Sequence, residues 1–188
     1  VAIAELIAEP AADLAAIASY LDSLDPAARW AELDRLGRAQ QRALYGRAAG
    51  RAIGLKHFVG DGQTETIHDG RNTLPLPSPL RRFRKCFAVT DDPDCLIGFN
   101  DGPTRRLIGP GFFVAVEAAG GVVFDYDRRP GSTPSSWPAV VPNTQGLQRL
   151  VFNGTHDAVR GVSTHVCIGA VFRGAQAMDH YFVLCRRP

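Results

Sequence analysis

The sequence predicts an α+β fold: an N-terminal antiparallel helix pair packed on a strongly bent, mainly antiparallel β-sheet or a partly open β-barrel. Three observations predict it. Apolar residues recur at spacings of three and four as far as Gly50, glycine and proline punctuate the chain from Gly54 to Pro79, and short apolar runs joined by tight-turn residues follow from Arg82. One domain is expected over 1–188, with a helical part at 1–50, an irregular connector at 51–81 and a β-rich part at 82–188.

In the first part, Leu14, Ile17, Leu21 and Leu24 make an apolar stripe after Pro10, which suits a first helical turn. Asp25-Pro26 pairs an N-cap with a first-turn proline, so a second helix starts there and carries Trp30, Leu33, Gly37, Leu44 and Ala48 on one face. The short connection makes the two helices antiparallel neighbours. In the connector, Thr64–His68 suits a short strand and Asp69-Gly70 a turn. Leu74-Pro-Leu-Pro-Ser-Pro is extended, because each proline disfavours α geometry in the residue before it.

The β-rich part reads as strands at 82–90, 95–99, 112–118 and 122–127, the last two flanking Gly120-Gly121 as a hairpin. Asp91 to Asp94 and Asn100-Asp101-Gly102-Pro103 read as turns. A strand at 147–152, a short helix at 155–162 capped by Thr155, and strands at 165–172 and 180–185 around Gly174 complete the expectation. Short strands with tight turns favour an antiparallel sheet, and one this long curls.

Composition narrows the function classes. The 188 residues are 45% hydrophobic and 21% charged, ordinary for a chain that buries a core of its own. No run approaches the ~20 apolar residues of a membrane span, and Val1 to Ala8, acidic at Glu5 and lacking a basic leader, does not read as a secretion signal. A net charge of +2 is a poor footprint for a polyanion, so neither a nucleic-acid nor a membrane partner is expected, although Arg81-Arg82-Phe83-Arg84-Lys85 is locally basic. Lys56 and Lys85 are the only lysines among 21 basic residues; with abundant alanine, this arginine bias reads as the codon usage of a GC-rich, bacterial genome. Cys86, Cys95, Cys167 and Cys185 lie in apolar runs with no CxxC pair, as buried thiols of a cytoplasmic protein do.

Several groups of residues are candidates for chemistry. Gly98 to Gly111 holds four glycines that let backbone approach a ligand, with Arg105 and Arg106 able to fork onto an anion and Asp101 a candidate base. On the C-terminal strands, His165 and Cys167 share one face and Tyr181 stands on the neighbouring strand. A histidine and a cysteine fall short of the three protein ligands a zinc site takes, so no metal is expected unless His156, His57 or His68 completes the set. His156-Asp157 beside Thr155 reads as helix-start chemistry, with a catalytic pair after folding as the alternative, and Glu117, Asp125 and Asp127 as an outer sheet face, with an acid–base dyad or a cation site as the alternative. There is no dinucleotide fingerprint or phosphate loop, and the residues leave the cofactor open.

The function expected from this pattern is a small-molecule pocket, with or without catalysis, for an anionic or carbonyl-containing ligand. Phe112, Val114, Phe124, Tyr126 and Tyr181 are the expected apolar lining, Arg105 or Arg106 the anchor, and His165, Asp101 and Tyr126 the acid–base candidates. The alternative is an interaction module in which Trp30, Leu33 and Leu44 of the helical pair make a homo-oligomer or partner contact.

Overall fold

Eight strands follow one another in sequence order around a closed antiparallel barrel. The computed structural model describes residues 2–188. The strands are β1 (Glu65–Asn72), β2 (Arg82–Val89), β3 (Cys95–Asp101), β4 (Phe113–Ala118), β5 (Gly121–Asp125), β6 (Thr155–Gly161), β7 (Val166–Arg173) and β8 (Gln176–Arg186). Every neighbouring pair is antiparallel, and β1 pairs with β8 to close the ring. The bent sheet therefore closes completely, which removes both of its edges.

An eight-stranded barrel is just wide enough for its interior to be filled by side chains or to hold one small ligand. One end of this barrel is filled. A short helix, α5 (Lys56–Val59), inserts Phe58 against Phe87 and Phe124, at ring separations of 4.9 and 5.2 Å. Its backbone is tied in place where Phe58 O accepts from His68 Nε2 at 2.9 Å and Leu55 N donates to Glu117 Oε1 at 2.9 Å. Room for the rings comes from glycine: Gly70, Gly98 and Gly169 each stand directly across a strand pair from a phenylalanine, Phe83, Phe113 and Phe182. The rings lie flat over them, so a Cβ built at Gly169 would fall 2.2 Å from Phe182.

The helical N-terminus forms four helices on the outside of the barrel: α1 (Ile3–Ala8), α2 (Leu14–Ser23), α3 (Pro26–Leu33) and α4 (Arg38–Arg47). Asp13 and Asp25 cap α2 and α3, each accepting from a backbone N–H three residues on. The expected second helix breaks before Gly37, which N-caps α4 and whose N–H donates to Gln40 Oε1 at 2.8 Å. Ile17, Leu21, Leu33, Leu36 and Leu44 are buried against Val166, Ile168 and Val183 of β7 and β8, a second core outside the barrel wall. Arg29 locks this layer, donating to the C-terminal carbonyls of α2 at Leu21 and Leu24, both at 2.8 Å.

Four local expectations change. Asp69-Gly70 is not a turn but the middle of β1, where glycine makes space for Phe83. Asn100 and Asp101 belong to β3, so the turn starts at Gly102. Residues 147–152 form one helical turn, α7 (Gln148–Val151), because Gln148 plugs inward while Leu147 and Leu150 stay exposed. Residues 155–161 are a strand, with Thr155, Asp157, Val159 and Gly161 buried in strict alternation. The hairpin at Gly120-Gly121 is as expected, and both residues have positive φ, which glycine tolerates.

Candidate functional site

The other end of the barrel is open and holds a cavity of about 400 Å³. Its walls are apolar: Phe83, Val171 and Phe182 from the strands, and Leu74, Leu76 and Leu80 from the proline-rich segment that overhangs the mouth. That segment is pinned by arginines. Arg71 donates to the backbone and hydroxyl oxygens of Ser78 at 3.1 and 2.9 Å, and Arg81 donates to Leu76 O at 2.7 Å. A short helix, α6 (Arg105–Ile108), and α7 complete the rim, with Arg105 and Arg173 at the entrance.

The floor of this apolar cavity is ionic. Lys85 points inward from β2 between Phe83 and Phe87, and its side chain is only 2% exposed. Its Nζ donates to Asn100 Oδ1 at 2.9 Å, to Tyr126 Oη at 2.5 Å and to Asp157 Oδ2 at 3.4 Å. Tyr126 Oη donates in turn to Asp157 Oδ2 at 3.0 Å. Asn100 Nδ2 donates to Gly111 O at 3.0 Å and to Tyr126 Oη at 3.3 Å, which holds the phenol in place. Each of the four comes from a different strand or strand end, since alternation on β2, β3 and β6 and the continuation of β5 aim these positions at the axis.

Aromatic rings surround the amine. Its Nζ lies 4.5 Å from the centre of Phe113, 4.9 Å from Phe124 and 5.1 Å from both Tyr126 and Phe182. Ring faces attract a cation, but they replace water poorly. Burial accordingly pushes the Lys85 ammonium below its ordinary pKa, with Asp157 opposing the shift. Burial pushes Asp157 upward, with Lys85 opposing, and drives the Tyr126 phenol well up, the Asp157 charge adding to it. Burial thus pushes the lysine and the aspartate each toward its neutral form, and each opposes the other's shift.

The residues singled out from sequence distribute unevenly around this site. Tyr126 is on the floor and Tyr181 lines the wall. Arg105 and Asp101 are at the mouth, joined at 2.9 Å, and Asp101 also pairs with Arg84. Arg106 points to solvent. Phe124 lies in the filled half of the barrel, in contact with Phe58. Phe112 packs outside the barrel on Phe99 and Trp137 and borders a smaller cavity of about 190 Å³ with Arg128 and Arg129. Val114 is buried on the outer face of β4, because Phe113 and Ala115 occupy the inner one. His165 is at the far end of β7, beside Arg186 at 3.4 Å, and does not meet Cys167, which is inside the barrel, or Tyr181.

Lys85, Asn100 and Asp157 were not among the expected site residues. Lys85 sits in the basic run, yet that run divides on folding: Arg82 pairs with Asp34, Arg84 pairs with Asp101, and Phe83 and Lys85 turn inward. The signal that isolates it is the Phe83-Lys85-Phe87 alternation, one charge between two rings on a strand face. The His156-Asp157 pair separates too, His156 stacking on Phe172 outside while Asp157 enters the core. Glu117 caps α5 through Leu55 N, and Asp125 and Asp127 accept bonds from loop backbone, so these three carboxylates do not form a cluster. Leu33 and Leu44 of the helical layer are fully buried within the chain, and Trp30 is half-buried.

Among the described residues, no three histidine, cysteine, aspartate or glutamate side chains are grouped to hold a metal ion, and all four cysteines are free thiols. No helix among them is long and apolar enough to cross a membrane. No family model matches the chain, and no curated protein matches it in sequence.

Proposed function

We propose that the protein binds a small apolar molecule with a carbonyl or carboxylate head group, taken head-first into the open end of the barrel. The observation that carries this reading is an apolar cavity of about 400 Å³ ending on a buried lysine. That volume is of the size that encloses a small ligand, and apolar walls with a few placed polar groups are the usual build of such sites. The walls supply affinity at about 25 cal/mol per Å² of apolar surface removed from water. The floor supplies orientation: an incoming oxygen competes for the Lys85 and Tyr126 donors that otherwise bond Asn100 and Asp157, whereas a hydrocarbon offers them no acceptor. Arg105 and Arg173 at the rim favour approach of an anionic molecule, a weaker effect at exposed positions.

The test is displacement of 1-anilinonaphthalene-8-sulfonate, followed by fluorescence, with three competitors of one shape: 3-phenylpropanal, 3-phenylpropanoate and propylbenzene. The expected result is displacement by the first two at concentrations about tenfold or more below the hydrocarbon, the increment of about one good hydrogen bond. Val171→Trp, which fills the wall without touching the floor, abolishes both. Equal displacement by all three, or unchanged binding in Val171→Trp, overturns the reading.

A further inference from the structure

We infer that Lys85 is a carbonyl-capturing amine: its Nζ forms an imine with an apolar aldehyde or ketone held in the cavity, and Tyr126 and Asp157 move the protons. The inference rests on the pocket reading above and adds a covalent bond to it.

The first support is the identity of the residue. Only Lys56 and Lys85 among 21 basic residues are lysines, so the chain otherwise carries its positive charge on arginine. A guanidinium suits a buried ion pair with a carboxylate at least as well as an ammonium does. What a primary amine offers, and a guanidinium does not, is a nitrogen able to form a carbon–nitrogen double bond. The other lysine, Lys56, is exposed on α5 at the closed end.

The second support is the surroundings. A lysine becomes a nucleophile at neutral pH when it is desolvated in an apolar pocket. Lys85 is ringed by Phe113, Phe124 and Phe182 and still reaches the cavity floor. Its lowered pKa, caused first by burial, acts in the same direction. Within hydrogen-bonding reach stand a hydroxyl, a carboxylate and an amide, the groups that proton movement in this reaction requires.

The step balances without an oxidant or a further reactant. The Nζ lone pair attacks the carbonyl carbon, the C–N bond forms, and the carbonyl π electrons move to oxygen. Tyr126 Oη gives that oxygen a proton and is reprotonated through Asp157 by the proton the nitrogen gives up. The C–O bond of the carbinolamine then breaks as its hydroxyl takes a second proton from the same pair, the nitrogen lone pair forms C=N, and the remaining N–H proton returns to Asp157. One water leaves, and C=N remains on Lys85. Asn100 touches both the amine and the phenol, so it orients the nucleophile against its acid.

The experiment incubates the full chain at neutral pH with 3-phenylpropanal and sodium cyanoborohydride, which reduces any imine to a stable secondary amine. Intact mass and peptide mapping then read where the label sits. The expected result is one adduct per chain on Lys85, formed about tenfold or more faster than on Lys56, since each unit of pKa depression raises the free-amine fraction tenfold. Tyr126→Phe slows labelling of Lys85 by ~100-fold at saturating 3-phenylpropanal, the loss of one acid–base group. Label confined to Lys56 and the N-terminus, with Lys85 unmodified, overturns the inference whatever the variants do. If 3-phenylpropanal still displaces the dye from that unlabelled protein, the pocket reading stands alone; if it does not, both fall. Unchanged labelling in Tyr126→Phe removes the assigned proton route.

Discussion

Removing either partner of the buried Lys85–Asp157 pair should expose the other in opposite directions of pH. In the intact protein each group opposes the other's shift, so the pair itself adds little pH slope near neutrality. Lys85→Met leaves Asp157 alone in its desolvated site, where it takes up a proton on folding. The folded chain then binds one proton more than the unfolded chain, whose aspartate titrates near 3.9, and stability falls as pH rises by about 1.4 kcal/mol per unit. The cost relative to the intact protein grows from about pH 5.5 to about pH 7 toward the ~3–5 kcal/mol expected for breaking a buried ion pair.

Asp157→Asn does the reverse. Lys85 loses its counter-ion and folds as the free amine, so the unfolded chain holds the extra proton and stability rises with pH. The cost is again about 3–5 kcal/mol near neutral pH and shrinks as pH rises toward about 10.4, where an unfolded lysine titrates. The Lys85→Met/Asp157→Asn double variant recovers the flat difference profile. Urea denaturation of the four proteins at several values of pH, each difference taken against the intact chain at the same pH, measures all of this. Flat differences for both single variants would refute the reasoning. The surviving ion would then remain charged because water in the cavity hydrates it, and the floor would not be the dry site from which the amine gains its nucleophilicity.

Three further outcomes follow from other parts of the structure. Burial holds the His68 pKa down to about 3 and that of His57 to about 4; these depressed values make the unfolded chain the better proton binder, so stability is lost as pH falls below about 6.5. His68→Gln, which can keep a side-chain N–H aimed at Phe58 O, should reduce the loss between about pH 7.5 and 5 by about 2 kcal/mol, measured by urea midpoints. Gly169→Ala places a methyl against the Phe182 ring and should destabilise by about 1–3 kcal/mol while shifting the aromatic signals of the barrel in near-UV circular dichroism. Arg29→Met keeps the apolar stem but leaves the Leu24 carbonyl without its Arg29 donor and the Leu21 carbonyl with the Leu24 N–H alone; a loss of about 1–3 kcal/mol in one cooperative transition shows that the helical layer and the barrel unfold together.

Much of the barrel was legible before any coordinates, for a reason specific to its strands. Residues 82–90, 112–118 and 166–172 are rich in phenylalanine, valine and isoleucine and are separated by turn residues, so propensity and pattern agree with the final structure. Where they disagree, the sequence misleads. Thr155-His-Asp-Ala-Val-Arg resembles a capped helix because its first two inward positions, Thr155 and Asp157, are polar and only the third, Val159, is apolar. Those inward polar residues are part of the site, so the feature that makes the strand functional also hides it. Leu147 to Phe152 has the opposite fault: three leucine and valine side chains suggest a strand, yet the segment is a rim turn held by Gln148.

The same division holds for the site. Alternation along β2 determines that Lys85 shares a face with Phe83 and Phe87, and the caps at Asp13 and Asp25 determine where two helices begin, because these are relations within a few residues of chain. That Lys85 meets Asp157, 72 residues away, depends on four consecutive strand registers, from β2 to β6. A slip of one residue in any of them turns a side chain from the barrel axis to its outer face. Closure of the ring is likewise a tertiary matter: only when β8 returns to β1 do the inward residues of eight strands share one interior. Half of that interior then fills with rings, and the other half becomes a cavity with an amine at its base.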